Sequence, residues 1–521
     1  METTSLAQWT AWRREGCTTL PLLRRIPLAE NGDRLRTWTG AWKAASEHAI
    51  VLESGKDGRY TYLGLRPSAV IRGYSRHAEI MQAGAADARV IHGKPLEVVR
   101  EHMRSRKGPR VGGGPKWTGG LAGFWSYDII RSIERLPELA ADDLGLPDYL
   151  FLQFDELWII DHVERALYCS VHTAIDGAPS HTAGDSWLET AYEYAVRKLE
   201  EMAALWERIV SDAASTEEAA RETARRKLLS SDSMHIDIEA MQGLASPFPK
   251  GDYMNAVSRI RGYIGQGDVF QVNLSLRQSK ATDAEPDELY EWLRLVNPSP
   301  YMGFLRCPDF SLVSASPELL VELRAGRLST RPIAGTRRRG RTPEEDGHMA
   351  EELRSNEKER AEHIMLVDLE RNDLGRISAY GTVKVRDFMV IEYYSHVMHL
   401  VSQVEGELAS GKDAFDVIAA TFPGGTITGA PKIRTMEIIE ELEPTRRGPY
   451  TGSLGWIDYD GDMEFNIIIR TMIVKDGLAH IQAGAGIVID SEPEREYYES
   501  LNKAKALWKA VQYCEEGGAL P

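Results

Sequence analysis

Two Glu-x-x-Glu pairs stand in the C-terminal half of this chain, Glu359/Glu362 in NEKERAEHIMLVDLERND and Glu496/Glu499 in DSEPEREYYESLNKAKA. Residues three apart on a helix share a face, so each pair can turn two carboxylates toward one point. Four carboxylates about one point repel each other unless a hard cation sits among them. Mg²⁺ suits that place, because it takes oxygen ligands and keeps positions open for water and an anionic substrate. Either pair alone also reads as a solvated helix face. Their settings point further. The first runs into apolar Ile364-Met365-Leu366-Val367, which marks a half-buried helix; the second follows the Gly-interrupted strand AGAGIVID, with Lys503 and Lys505 beyond it. The pattern predicts a Mg²⁺-dependent enzyme acting on a carboxylated small molecule.

Two glycine–threonine segments, PIAGT (332–336) and FPGGTITGAPK (422–432), add a second signal. Gly335, Gly424, Gly425 and Gly429 permit close backbone approach, and Thr336, Thr426 and Thr428 offer hydroxyls, a combination suited to holding a carboxylate. Each segment alone is also compatible with an ordinary turn. GAPK lacks the spacing of a phosphate loop. Arg470 follows Ile467 to Ile469 in FNIIIRT, and a charge on a mostly buried strand needs a partner: a substrate carboxylate or a structural ion pair. The glycines of AGAG (483–486) imply that something approaches the backbone there. His396 and His399, three apart in YSHVMHLVS, would face opposite sides of a strand, leaving one buried. Glu318 in SASPELL follows a proline at the end of an apolar strand. Burial there would raise its pKa and suit a general acid, whereas a surface turn would leave it ordinary.

The elements that must position these residues form two textures. Before residue 175, HAIVLES and GRYTYLGL read as adjacent strands, GGLAGFWSYDIIRSIE as a strand running into a helix, and DELWIIDHVERALYCSVHT as a hairpin. Residues 186–230 are helical and charged, and the aperiodic SSDSMHIDIEAMQGLASPFPKGDY reads as a linker. This predicts an N-terminal α+β domain over 1–240 and a second domain, with the candidate site, over 241–521. There, an amphipathic helix ends at Gly267, a strand follows at 268–280 and the helix DELYEWLRLV after it, antiparallel strands run on from 301, and helices are expected at 344–372, 413–421 and 430–441. Strands in series with long helices argue for an α+β layered fold rather than alternating βαβ units.

With 521 residues, 43% of them hydrophobic, the chain can bury a large core; its net charge of −16 and lack of a basic track argue against nucleic acid as a partner. Cys17, Cys169, Cys307 and Cys514 show no metal or disulfide spacing, which fits a reducing cytoplasm. No apolar segment reads as a signal peptide or a membrane span. No nucleophile elbow (G-x-S-x-G or G-x-C-x-G) and no strand–GxGxxG–helix unit is present, so a covalent acyl-transfer site and a Rossmann cofactor site are not expected.

These motifs, in this order from about 245 to 510, resemble the chorismate-utilising enzymes, the family of the anthranilate, aminodeoxychorismate, isochorismate and salicylate synthases; VLESGKDGRYTYLGLRP and GGLAGFWSYD extend the likeness upstream. The resemblance implies a two-layer antiparallel β-sheet sandwich flanked by helices. It implies Mg²⁺ ligands at Glu359, Glu362, Glu496 and Glu499, chiefly Glu362 and Glu499. Thr426, Tyr450, Arg470, Ala483, Gly484, Gly486 and Lys503 would hold the chorismate carboxylates, with Gly335 and Thr336 beside the ring. Glu318 would be the acid at the C4 hydroxyl and His399 the active-site histidine. Gln271 stands where water-adding relatives have a lysine, which implies ammonia as the nucleophile. A separate glutamine amidotransferase subunit would supply it. Ala334, inside PIAGT, matches the anthranilate synthases, whereas many aminodeoxychorismate synthases have a covalent lysine there. QVNLS, FPGGT, LERNDLGR and YTGSLGW instead resemble the aminodeoxychorismate branch, which implies amination at C4 for 4-aminobenzoate and folate synthesis, with anthranilate formation as the alternative. A non-catalytic regulatory subunit is the remote alternative. A tryptophan site, inhibitory or structural, is implied at Leu52, Glu53 and Ser54 with Asn297, Pro298, Ser299, Pro300, Tyr301 and Met302.

Overall fold

The computed structural model describes residues 4–28, 35–55, 58–175, 186–232, 235–393 and 397–517. Two eleven-stranded sheets dominate it, and all pairings between their strands are antiparallel. The first sheet runs from Thr19–Pro27 through Ala166–Ala174, Glu156–Asp161, Tyr60–Gly64, Ala49–Glu53, Tyr301–Arg306, Ser311–Ser316, Thr471–Lys475, Leu478–Ile487 and Gln271–Ala281 to Gly429–Ala430. The second has Leu319–Arg324, Met463–Ile467, Ser453–Asp458, Gly120–Trp125 and Tyr149–Phe154 at its centre. A small third sheet joins Ile333–Arg338, Val397–Val401 and Val390–Tyr393.

Alternation of side chains along each strand sends one face of each sheet inward. Between the sheets, Ile50, Leu157, Leu305 and Leu312 of the first meet Phe124, Leu150, Leu152 and Trp456 of the second. The outer face of the first sheet is covered by the helices Ser186–Ala213, Lys250–Gln266, Pro286–Val296 and Pro493–Gly517, and that of the second by Pro95–Arg104, Glu357–Gly375 and Ala414–Thr421. This is the expected two-layer α+β sandwich. The residues either side of 240 interleave within it: Tyr301–Arg306 pairs with Ala49–Glu53, and Ser453–Asp458 with Gly120–Trp125. Residue 240 therefore separates two lengths of chain but not two sheets.

Local chemistry sets the helix ends. Gly267 takes φ +86° after Lys250–Gln266, and its N–H donates to the Ile264 carbonyl. The single helix expected over 344–372 is two, Pro343–Ser355 and Glu357–Gly375. Asn356 stands between them with extended backbone, and its side chain accepts the Glu359 N–H at 3.0 Å. Asparagine is a strong N-cap, so it ends one helix and starts the next. The aperiodic segment before residue 250 is packed, with Ile236, Ile238 and Phe248 buried.

Candidate active site

The chain crosses from the first sheet to the second at Pro317-Glu318, and returns at residues 468–470. The two crossings lie against each other. The Ile467 N–H donates to the Glu318 carbonyl at 3.0 Å, the Ala315 N–H to the Arg470 carbonyl at 3.0 Å, and Ser316 Oγ to the Ile467 carbonyl at 2.6 Å. Arg470 is therefore in the gap between two strands rather than within one, because the backbone must turn there to change sheets. Its φ is +50°, a left-handed conformation that costs a non-glycine residue roughly 1–3 kcal/mol.

Both crossing residues line the same cavity. Burial alone lowers the pKa of the Arg470 guanidinium, and among the described residues no carboxylate pairs with it. Burial pushes the Glu318 carboxyl up to about 7, against the opposing effects of the nearby Thr426 hydroxyl and the Lys503 charge. A buried cation without an anion has the chemistry to receive an anion, and a carboxyl that keeps its proton near neutrality has the chemistry to donate one.

The small sheet forms a second wall. Its strand Ile333–Arg338 bulges between Ala334 and Thr336, where Gly335 takes φ +64°. That positive φ strains any other L residue there, and a Cβ would also press on Leu353 Cδ1 at 2.7 Å and Glu359 Oε2 at 2.8 Å. Thr336 pairs with His399, whose Nδ1 lies 3.0 Å from Thr336 Oγ1 and 3.2 Å from the Gly335 carbonyl. A proton on Nδ1 donated to that carbonyl makes Nε2 the acceptor nitrogen. His396 lies outside the described residues.

The two carboxylate helices close the cavity. Burial, then the Glu359 charge, raises the Glu362 pKa; Gln271 Nε2 reaches Glu362 at 3.4 Å. Burial also raises Glu496, and its Oε2 is buried without a hydrogen-bond partner. Glu359 accepts from Arg337 at 3.0 Å, and Glu499 pairs with Lys503 at 2.9 Å. Lys503 also donates to the Gly484 carbonyl at 3.0 Å. Among the described residues no three metal-ligating side chains converge on one point. The four carboxylates nevertheless share one cavity, offer oxygen donors only, and include an orphaned oxygen. That chemistry fits a hard divalent cation.

Buried ion pairs anchor the floor. Arg447 binds Glu443 at 2.7 Å and donates to the Ile427 and Asn273 carbonyls at 2.9 and 2.8 Å, while Glu443 accepts from the Ser275 N–H and Oγ at 2.8 Å each. This joins the TITG turn to the strand Gln271–Ala281. Lys432 of GAPK binds Asp373 of LERND at 2.6 Å and the Thr421 carbonyl at 3.2 Å, which ties the ends of the 422–432 loop together. Its role is structural. Tyr450 is buried above this floor, and burial raises its pKa.

Every residue that the family resemblance placed at the catalytic, substrate or metal positions lines a single cavity of about 740 Å³, whereas Gly424, Gly425, Thr428 and Gly429 of the 422–432 loop do not, the Thr428 hydroxyl donating to the Gly424 carbonyl at 3.0 Å instead. The residues expected to form a tryptophan site divide. Asn297, Pro298, Ser299 and Pro300 line this cavity, whereas Glu53, Ser54 and Met302 line a separate one of about 280 Å³ beside Trp38 and Arg294. Leu52 packs against the core between the sheets, and Tyr301 lines neither cavity. Glu53 already accepts from Arg294 Nε at 2.6 Å, the Tyr290 hydroxyl at 2.9 Å and Trp38 Nε1 at 3.2 Å. Asn273 lines the large cavity and was missed as a site residue. Its spacing of two from Gln271 on an alternating strand was the available signal.

Residues 47–509 match the family described as chorismate binding enzyme. The chain is 47% identical over 478 residues to aminodeoxychorismate synthase component 1 of Bacillus subtilis (strain 168), covering 90% of this chain and 93% of that protein. It is also 47% identical, over 406 residues, to anthranilate synthase component 1 of Thermus thermophilus, covering 77% and 79%. A crystal structure of anthranilate synthase component I from Streptococcus pneumoniae superimposes with a TM-score of 0.68 at 33% identity, covering 87% of this chain and 92% of that one. The chain belongs to the family of chorismate binding enzymes.

Proposed function

We propose that this chain aminates chorismate at C4, giving 4-amino-4-deoxychorismate for 4-aminobenzoate and folate synthesis, as a cytoplasmic enzyme fed with ammonia by a separate glutamine amidotransferase subunit. The observation that carries the reading is one cavity holding a buried guanidinium with no carboxylate paired to it, Arg470, and a buried carboxyl pushed up to about 7, Glu318. Chorismate is a dianion with a poor leaving group at C4, and these two groups answer those two demands. Arg470 and Tyr450 bind a carboxylate. Glu318 gives its proton to the C4 hydroxyl, the C–O bond breaks, and water leaves. Ammonia forms the C–N bond, and the proton it sheds returns to the Glu318 carboxylate, so atoms and charge balance. Mg²⁺ held by Glu359, Glu362, Glu496 and Glu499 would supply Lewis-acid polarisation of the ring carboxylate.

Identity does not choose between the products, since relatives of both names reach 47%. The C4 product is favoured by the likeness of QVNLS, FPGGT, LERNDLGR and YTGSLGW to the aminodeoxychorismate branch. The second reading, anthranilate formation, is favoured by Ala334, which offers no amine for a covalent adduct on the ring. Tryptophan binding in the smaller cavity belongs to the same proposal, supported by Ser54 and Met302 in its wall.

The test is product identification. The purified chain is incubated with chorismate, Mg²⁺ and ammonium at alkaline pH, and the mixture is resolved by mass with and without an aminodeoxychorismate lyase. Aminodeoxychorismate that becomes 4-aminobenzoate only when the lyase is present is the expected result. Anthranilate without the lyase would assign the second reading, and untouched chorismate would sink both.

A further inference from the structure

The large cavity sets its substrate an electrostatic obstacle. Five glutamates stand in its walls, in a chain whose net charge is −16, whereas chorismate carries two negative charges. An anion enters such a space quickly only where local positive charge offsets the acids around it. Three Lys and Arg side chains stand in the same walls, and they are not equivalent. Arg470 is held at the crossing between the sheets. Lys503 is committed to Glu499 at 2.9 Å and to the Gly484 carbonyl at 3.0 Å. The third, Lys358, is exposed to solvent although it lines the cavity, and among the described residues it forms no ion pair.

A side chain that is exposed and also lines a cavity stands at its rim. Lys358 belongs to the first turn of the helix Glu357–Gly375, and its charge reaches Glu496 on the facing helix Pro493–Gly517, favouring the ionised carboxylate there. The ammonium is therefore turned toward the gap between the two carboxylate helices. Lysine suits a transient contact, because its flexible four-carbon stem carries a compact charge that can follow a moving ligand. We propose that Lys358 is a substrate-capture residue, which draws the chorismate dianion past the rim carboxylates and passes it to Arg470. This rests on the reading that chorismate is the substrate, whichever carbon is aminated. The contact is made on the way in, so it raises the rate of association and leaves the chemical step to the groups inside.

The test uses the full chain with chorismate, Mg²⁺ and ammonium chloride. At low ionic strength Lys358→Gln is expected to lower kcat/KM for chorismate roughly three- to tenfold, the effect of one charge on a nearby dianion, with kcat and the ammonium KM changed by less than about twofold. Lys358→Glu should lower it further, and Lys358→Arg should restore it to within about twofold of the wild type. At about 0.5 M salt, where charges are screened beyond about 4 Å, the gap between Lys358→Gln and the wild type should close. An unchanged kcat/KM at low salt overturns the proposal. So does a gap that salt leaves intact, which would make Lys358 a fixed contact of the bound substrate. Weaker Mg²⁺ binding by Lys358→Gln in calorimetry also overturns it, since the lysine would then be a support of the metal carboxylates. A wild-type chain that leaves chorismate untouched would fail the functional reading instead, so the two failures are distinguishable.

Discussion

Replacing Glu318 with glutamine should make the protein more stable above neutral pH while removing its chemistry. The Glu318 carboxyl is pushed from 4.5 to about 7, with burial as the largest cause. Its folded pKa is raised, so between those values the folded state holds a proton that the unfolded state has lost. Stability therefore falls as pH rises through this window and levels off above about 7. Such a change in pKa corresponds to about 3 kcal/mol of ionisation penalty, present in full above pH 7 and absent well below 4.5. Glutamine has the same shape and no charge to bury. The advantage of Glu318→Gln over the wild type should be about 1 kcal/mol near pH 5 and about 3 kcal/mol near pH 8.5. Urea unfolding at both pH values, followed by tryptophan fluorescence, reads this directly. Turnover of chorismate should fall roughly 10²- to 10⁴-fold, as for loss of a general acid. An advantage that does not grow with pH, or a variant less stable at pH 8.5, would refute the assignment of Glu318 as a buried, proton-holding carboxyl.

Three further outcomes follow from the same geometry. Arg470→Ala should raise the KM for chorismate by roughly 10- to 100-fold, the worth of a charge-assisted bidentate contact, and an unchanged KM in steady-state assays would exclude Arg470 from the substrate. Glu443→Gln leaves the Arg447 charge buried beneath the site, so it should cost about 3–5 kcal/mol in denaturant titrations; a loss below about 1 kcal/mol would show that the pair does not anchor the floor. Glu362→Gln should weaken Mg²⁺ binding and abolish Mg²⁺-dependent turnover, while chelation should do the same to the wild type; unaltered Mg²⁺ titration by calorimetry would remove Glu362 from the ligand set.

Much of this arrangement could be read from residue types and spacing, and the remainder could not for identifiable reasons. The helical spacing of Glu359/Glu362 and Glu496/Glu499 brought all four to one cavity, because helix geometry is local. Their pairing with Arg337 and Lys503 depends on which side chains the fold brings alongside, and no periodicity encodes that. The break at Asn356 was written in a capping residue but hidden by the continuous charge pattern around it. FNIIIRT has the composition of one strand, yet the chain leaves the sheet inside it, and a change of sheet leaves no mark in hydrophobic alternation. The division of residues 297–300 from Glu53, Ser54 and Met302 between two cavities is likewise a matter of long-range contact. Ser299 accepts from the Gly55 N–H at 2.9 Å, and that long-range bond makes the segment a partition between two spaces rather than part of one wall.

The two crossings between the sheets explain why the site stands where it does. A strand centre offers side chains whose backbone groups are all paired and whose faces are filled by the sandwich. A crossing offers the opposite: a short backbone stretch free of the ladder, with side chains at the seam between layers. There Glu318 can be buried without an ion pair, and Arg470 can be turned by a left-handed backbone toward the same space. Both features oppose folding. The penalty on Glu318 at neutral pH and the strain at Arg470 are each a few kcal/mol, comparable to a sizeable part of the 5–15 kcal/mol by which domains are stable. Such costs persist only where the surroundings hold the conformation. Here the hydrogen bonds from Ser316, Ala315 and Ile467 lock each crossing to the other, and the Glu443–Arg447 pair secures the floor beneath them. It follows that the proton donor and the anion receptor cannot move independently. A change that loosens one crossing, such as loss of the Ser316 hydroxyl, shifts the other with it, so acid catalysis and chorismate affinity should fail together.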